Sequence, residues 1–413
     1  MALKIELLTV GSELLSGATV NTNAAYLAGR LQAVGLSCCR QVAVPDDLKP
    51  LGLALQEAIQ RSDVVLLTGG LGPTLDDQTI AVIAHVTGRR LRYLPGVARQ
   101  IHRFYARCHR RVQAAALRQA YLPAGAVALA NPIGTAPGMW LALPHPIIIA
   151  MPGVPREMRL MLEGSVLPRL RRLPGASRVA VSMMRTAGIV ELEIQHILQR
   201  LRLPAELEIG LYPHLRMVDV QLRMRAGSQQ QAQRLLQPYA LRVRRTLGDW
   251  VYANNGTSLS EAVGALLLRR HATIAVAESC TGGLVSHELT EVPGSSRYLR
   301  GSIVAYHNDL KEGPLAVPRE VLRRYGAVSR QTAELMAQGI RRWANASAGL
   351  SITGIAGPGG GTAVKPVGLV YVGLADERDS QTVQLQLTGD RTSIKAQASQ
   401  AALDFLRRSL LQR

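Results

Sequence analysis

DVVLLT (63–68) runs without a break into TGGLGPTLDDQT (68–79), and this junction decides the fold class. A short run of Val and Leu bounded by glycines reads as a buried strand. The glycines Gly69, Gly70 and Gly72 allow close backbone approach, and a following helix offers free N–H groups, a combination suited to a phosphate. The acids Asp76 and Asp77 beside it are candidates to hold Mg²⁺ or another divalent ion. The pattern repeats on either side. IELLTV (5–10) leads into GSELLSG (11–17), and PIIIAM (146–151) leads into MPGVPRE (151–157). NPIGTAPG (131–138) adds another Gly/Pro loop, and a helical pattern spans Asn21 to Val34. Strand, loop and helix in alternation imply an α/β block with a mostly parallel sheet and helices on both faces. In such a sheet the loops after the carboxyl ends of the strands converge on one crevice.

Composition sets the frame around this block. The chain has 413 residues, enough for two or three domains, and 47% hydrophobic residues with only two Phe and three Trp, so its cores are aliphatic. The four cysteines, Cys38, Cys39, Cys108 and Cys280, have no C-x-x-C spacing, and a reducing, cytoplasmic setting is expected. The N-terminus lacks signal-peptide features, and no apolar run reaches the roughly 20 residues that span a bilayer. Net charge is +19, which permits anionic partners. No RNP, zinc-finger or basic-zipper pattern accompanies it, so nucleic acid is not an expected partner. The densest basic run, Arg89 to Arg118, holds nine Arg and no acid. Val97, Ile101, Phe104, Cys108 and Val112 recur within it at spacings of three and four, which reads as one amphipathic helix with a basic outer face.

Two further blocks follow residues 1–170. Residues 171–250 read as a small α+β unit: strand-like VAVSMMRTAG, helical ELEIQHILQRL, alternating VDVQLRMRAG, then a helical pattern from Gln229 to Leu247. LPGAS (173–177) marks the boundary by its turn composition. The third block, 256–413, opens with Ser258 and Glu261 in capping-box spacing. It continues with strands TIAVAE (273–278), SIVAY (302–306), GLSIT (349–353) and VGLVYVGLA (367–375), and closes with a helix from Thr392 to Leu411.

The loops of the first block, TGGLGPTLDD with GTAPG and PGVP, resemble the molybdopterin-binding fold family, in the branch that forms the N-terminal half of CinA proteins. The resemblance covers nearly all of residues 3–170. It implies a metal-dependent ADP-ribose pyrophosphatase, with Asp77 as the acid of the GGxGPxxxD loop and Asp46, in VPDD (44–47), as the acid after the second strand. Metal and backbone donors would neutralise the growing phosphate charge.

In the third block, AESCTGG (277–283), VPGSSRY (292–298), IVAYHNDLK (303–311), TGIAGPGGGT (353–362), KPVG (365–368) and TGDRTS (388–393) each border an apolar element. This is how a site assembled at the end of a sheet appears in sequence. Cys280 has no evident His partner and reads as a buried structural residue; Ser279 reads as a helix N-cap. Ser296 is the sharper nucleophile, with Lys311 as a neutral, desolvated base and Tyr306 as an assisting hydroxyl. The block resembles the C-terminal CinA domain, the nicotinamide mononucleotide amidohydrolase family. That resemblance implies the Ser296, Lys311 and Tyr306 roles and makes Thr353 and Arg391 polar binding positions. YHNDLK departs from the common YSNEAK, with His307 and Asp309 replacing Ser and Glu. The expected reaction releases ammonia from the nicotinamide carboxamide without a cofactor. The loop carrying Ser279, Thr281, Gly282 and Gly283, at a helix N-terminus, is expected to take the 5′-phosphate. Gly357 belongs to a second Gly-rich loop lining the site, and Arg391 is expected to pair with the phosphate or a carboxylate-like charge.

The middle block resembles the KH-like connector of full-length CinA proteins, but residues 171–250 contain no GXXG clamp, so RNA binding there is not expected. A homodimer with no membrane attachment is the expected form, and pyridine-nucleotide recycling the expected role. Two alternatives stand beside it. One is a competence- or DNA-damage-associated accessory protein with a DNA-related binding role, suggested by the family's competence label and the charge. The other is a molybdenum-cofactor enzyme, suggested by the first block alone.

Overall fold

The computed structural model describes residues 3–74, 76–174, 179–254 and 256–412. Its contacts divide it into two compact units, residues 1–181 with 223–236, and residues 182–222 with 237–413. The LPGAS boundary reaches into 175–178, outside the described residues.

The first unit is built on a six-stranded sheet. Its strands are β1 (Ile5–Val10), β2 (Cys38–Val44), β3 (Val64–Thr68), β6 (Val127–Leu129), β7 (Gly138–Ala142) and β8 (Ile147–Met151), in the order β2-β1-β3-β8-β7-β6. A separate antiparallel pair, β4 (Leu91–Tyr93) and β5 (Tyr121–Pro123), stands beside it in sequence. The β1–β2, β1–β3 and β3–β8 pairings are parallel, while β7–β8 and β6–β7 are antiparallel. Every residue of β1 and β3 is buried, because both faces of the sheet are covered. One face packs Leu27 and Leu31 of helix Thr22–Ala33 with Met158 and Met161. The other packs Leu51 and Leu55 of helix Leu48–Arg61 with Val82 and Ile83.

The Arg-rich segment differs from its sequence reading. Its helix spans only Pro95–Arg107 and buries Val97, Ala98 and Ile101. Cys108 is the exposed C-cap, His109 turns into positive φ at 53°, and Val112 lies past the helix end. The apolar spacing continued beyond the point where the backbone hydrogen bonds stop.

Two further sheets follow in sequence. The connector sheet has β9 (Val179–Ala187), β10 (Leu207–His214), β11 (Met217–Arg225) and β12 (Val251–Asn254), in the order β10-β11-β9-β12. The other sheet has β13 (Ile274–Glu278), β14 (Leu299–Val304), β15 (Ala348–Gly354), β16 (Leu369–Ala375) and β17 (Ser380–Gln386), in the order β14-β13-β15-β16-β17. Strand β13 lies inside the sheet, fully buried and parallel to both neighbours, β14 and β15; the β15–β16 and β16–β17 pairings are antiparallel. Helix Leu259–Arg269 begins with the capping box: the Glu261 N–H donates to Ser258 Oγ, and the Ser258 N–H donates to the Glu261 carboxylate. The closing helix, Arg391–Gln412, carries two internal ion pairs whose arginines also bond the connector. Buried Asp404 pairs with Arg407 at 2.7 Å and Arg408 at 2.8 Å, and these donate onward to the carbonyls of Asp249 and Ala187. No helix among the described residues is long and apolar enough to cross a membrane.

Candidate active site

At the carboxyl end of β13 the chain turns through Ser279–Gly283 into helix Leu284–Thr290. Gly282 and Gly283 make that turn at φ 63° and 96°, values an L side chain rarely adopts. The turn is held by Glu278, which is wholly buried. Its carboxylate accepts from the N–H groups of Gly283 at 2.9 Å, Val285 at 3.2 Å and Ser286 at 2.9 Å, and from the Ser286 hydroxyl. A buried carboxylate needs such partners, and the helix N-terminus supplies them together with its dipole. The N–H groups of Gly282, Gly283, Val285 and Ser286 are thereby engaged and are not free for the 5′-phosphate expected on this helix N-terminus. The N-cap is Gly283, so Ser279 is not the cap either. Ser279 is half-buried, donates its own N–H to the Ile352 carbonyl and keeps its hydroxyl clear of side-chain hydrogen bonds among the described residues.

Lys311 is 1% exposed, in the short helix Asn308–Glu312. His307, one of the departures from the family pattern, caps this helix through Nδ1 to the Asp309 N–H. The Lys311 amine donates to the Ala305 carbonyl at 2.6 Å and to the Tyr306 carbonyl at 3.4 Å. Burial pushes its pKa below the usual lysine value, opposed only by nearby Cys280. Cys280 is itself buried, as expected, and its thiol is pushed up to about 12 by that burial. The Ala305 N–H donates to the Glu278 carbonyl at 2.7 Å. The amine therefore lies at the Glu278–Cys280 end of β13, and Ser279 stands between those two residues.

Ser296 lies elsewhere. It sits in the exposed turn Ser295–Arg297 before β14, where the Ile274 N–H bonds the Tyr298 carbonyl and Ile274 pairs with Leu299. Lys311 follows β14. Six residue steps from Leu299 to Ala305, at about 3.3 Å each, put roughly 20 Å of strand between the two ends. The expected Ser296–Lys311–Tyr306 trio is thus not assembled, and the serine at the lysine's end of the sheet is Ser279.

Tyr306 and Arg391 do meet. Arg391 donates to the Tyr306 hydroxyl at 2.8 Å and to the Gly357 carbonyl at 2.7 Å, tying the YHNDLK and GPGGG loops to the start of helix Arg391–Gln412. Lys395, one turn along that helix, lies beside Gly282: a Cβ built there would stand 3.6 Å from its Nζ. Sequence reasoning missed Lys395, although its i+4 spacing from Arg391 was available as a signal. Thr353 is wholly buried, and its hydroxyl donates to the Ala327 carbonyl at 2.7 Å. Lys365 of KPVG clamps the same turn through the carbonyls of Tyr325 and Val328. The Thr353 hydroxyl is therefore committed inside the protein and does not offer the polar binding position expected of it.

In the first unit, the loop after β3 borders a cavity of about 410 Å³ that includes Gly70, Gly72, Thr74, Asp77, Arg118, Gln119 and Tyr121 among its lining residues. Gly69, at φ 109°, packs so tightly that an added Cβ would meet the Val10 carbonyl oxygen at 2.1 Å. Asp77 turns back on its own loop, accepting from the N–H of Thr74 at 2.9 Å and from the Thr74 hydroxyl. Asp46 is not brought to this cavity. It accepts from the Ser12 N–H at 2.8 Å after β2, two strands away from β3. Asp76 is exposed, and no cluster of three His, Cys, Asp or Glu side chains that could hold a metal forms among the described residues. A single inward carboxylate, Asp77, suits a hydrated divalent ion and not a protein-built cage.

Family models match along the chain: a probable molybdopterin binding domain at residues 6–172, a damage-inducible protein CinA KH domain at 182–253 and a CinA C-terminal domain at 256–410. A putative competence-damage inducible protein of Desulforudis audaxviator is 42% identical over 394 residues, covering 95% of each chain. A CinA-like protein of Dictyoglomus thermophilum is 40% identical, covering 99% of this chain and 100% of its own. Among solved structures, the CinA protein of Thermoplasma acidophilum is 35% identical and matches 40% of this chain and 98% of its own, at a TM-score of 0.38. With its three domain matches in order and relatives that align over nearly their whole length, the chain belongs to the CinA family.

Proposed function

We propose that the C-terminal domain hydrolyses the carboxamide of nicotinamide mononucleotide, with Ser279 as nucleophile and Lys311 as its base. The observation that carries this reading is the buried Lys311 amine at the Ser279 end of β13, with main-chain carbonyls as its hydrogen-bond acceptors. A neutral amine has two N–H donors and one lone pair. Two carbonyls take the donors, which leaves the lone pair for the serine proton.

In the reaction, Ser279 Oγ attacks the carboxamide carbon as its proton passes to Lys311 Nζ. The tetrahedral intermediate collapses, Lys311 returns the proton to the amide nitrogen, and ammonia leaves an acyl-serine. Water, deprotonated by the same amine, then releases nicotinic acid mononucleotide and restores the serine. The main-chain N–H groups of Cys280 and Thr281, which Glu278 does not take, stabilise the oxyanion. Arg391 and Lys395 supply the positive charge for the substrate phosphate, a role the helix N-terminus cannot fill while Glu278 occupies it.

The test is ammonia release from nicotinamide mononucleotide by the full chain. Ser279→Ala is expected to lose at least about a thousandfold in kcat, and Ser296→Ala to keep wild-type activity. The opposite pattern would overturn the assignment, and wild-type protein that releases no ammonia would overturn the reaction.

A second reading concerns the first unit, where the cavity lined by Gly70, Gly72, Asp77 and Arg118 favours a phosphorylated nucleotide, with ADP-ribose pyrophosphate hydrolysis as the activity. Asp77 would hold a divalent ion together with pyrophosphate oxygens, and that ion would supply charge neutralisation when bound. Glycine backbone and Arg118 position the phosphates around it.

A further inference from the structure

The segment from Arg89 to Arg118 gives the first unit a surface of one charge sign. All nine of its arginines are exposed, and none forms an ion pair among the described residues. The nearest acids in sequence are Asp77 and Glu157. Helix Pro95–Arg107 sets the spacing of three of these arginines. Arg99, Arg103 and Arg107 follow one another at i+4, about 6 Å of rise apart. They stand on the side away from Val97, Ala98 and Ile101, which pack against Ala116 and Ala120. The apolar side of the helix is thus covered by protein and is not free to insert into a lipid surface. The strands flanking this segment add aromatic surface. Tyr93 and Tyr121 face each other across the β4–β5 pair with ring centroids 5.3 Å apart, and they are 45% and 44% exposed. Arg92 and Arg118 lie within three residues of them in sequence.

We infer that this face binds single-stranded nucleic acid, with Arg99, Arg103 and Arg107 along the phosphates and Tyr93 and Tyr121 against unpaired bases. Guanidinium forks match phosphate oxygens, and exposed aromatic rings give bases a stacking surface; together these are the elements of sequence-tolerant strand binding. A duplex keeps its base faces stacked on one another, so only a single strand can use both elements. The sequence lacks an RNP, zinc-finger or basic-zipper pattern, but this mode needs none, because it contacts backbone charge and base faces and reads no sequence. It requires neither of the reactions proposed above.

The experiment is fluorescence anisotropy of the full chain with a labelled oligothymidylate of about 20 nucleotides, over a series of salt concentrations. Wild type is expected to bind with a Kd of about 10 μM or tighter at about 0.15 M salt. The triple variant Arg99→Gln, Arg103→Gln, Arg107→Gln, checked for folding by its melting temperature, is expected to lower the slope of log affinity against log salt by about 2. Tyr93→Ala and Tyr121→Ala are each expected to weaken binding at least about fivefold and to leave that slope unchanged. Arg242→Gln with Arg245→Gln, exposed cations of the other unit, is the control and is expected to bind as wild type does. No wild-type binding at about 0.15 M salt overturns the inference. Equal losses in the triple variant and the control would assign the binding to net charge and overturn this face as the site. Tyrosine variants that bind as wild type does, or a duplex bound as tightly as the single strand, overturn the stacking. Phosphatidylserine vesicles bound as tightly as the oligonucleotide, and released by the triple variant, would make the face a lipid surface instead.

Discussion

Lys311 carries opposite demands from folding and from catalysis. Burial makes its charged form expensive, so the folded protein releases this proton at lower pH than the unfolded chain does. Between the lowered pKa and the ordinary value of 10.5 the unfolded state binds more protons, and stability contributed through this group rises with pH. Below the lowered pKa the folded protein must carry a buried ammonium, and the full cost remains. Activity has the same sign, because only the neutral amine is a base: kcat/KM is expected to climb with pH and level off above the lowered pKa. Lys311→Met should abolish ammonia release and raise the melting temperature at neutral pH; an unchanged or lower melting temperature would show that the lysine is not held against a desolvation cost. The choice between Ser296 and Ser279 turns on the same residue. Sequence spacing records how far a serine lies from Lys311 along the chain but not that β14 intervenes. The signal that was available is topological. Ser279 follows one parallel strand and Lys311 follows its neighbour, and loops after parallel strands share an edge, whereas Ser296 precedes its strand.

At the scale of elements, a recurring feature is a carboxylate that fixes a turn. Glu278 holds Ser279–Gly283, Asp77 holds Thr74, and Asp46 holds Ser12. Local capping chemistry of this kind is partly legible. The Ser258–Glu261 capping box is visible as a spacing of three, but Glu278 is the last residue of a strand, and nothing in its spacing shows that it folds forward onto the next helix. The helix Pro95–Arg107 shows the reverse failure. Its apolar period runs past Arg107, while the hydrogen-bond ladder ends there. Strands β1, β3, β8, β13 and β15 were legible because buried strands read as apolar runs; β4 to β7, β10 and β12 were not, nor was β17, whose residues are half-buried or exposed and largely polar. Glu278→Gln keeps the shape and one acceptor oxygen but removes the charge that three N–H groups and the helix dipole stabilise. The expected cost is about 2 kcal/mol of stability, read as a lower melting temperature. Because the residue joins directly to Ser279, kcat should fall more than KM rises. Equal changes in both would indicate that Glu278 supports folding alone and does not position the nucleophile.

Across the whole molecule, the two candidate sites belong to different compact units with separate sheets and separate cores. Each has its own means of meeting an anionic substrate: Arg118 and a glycine loop in the first unit, Arg391 and Lys395 in the second. A net charge of +19 supplies a general attraction for anions, but this long-range field is screened within about 8 Å at physiological salt and cannot substitute for those contacts. Perturbations at sites that share no partners add independently. Ser279→Ala is therefore expected to abolish ammonia release while leaving ADP-ribose affinity within about twofold of wild type. Titrating that variant with both substrates present extends the check, since coupled sites would show a reciprocal shift in affinity. A Ser279→Ala protein that keeps its melting temperature but loses nucleotide binding would refute two independent sites and require a single site assembled from both units.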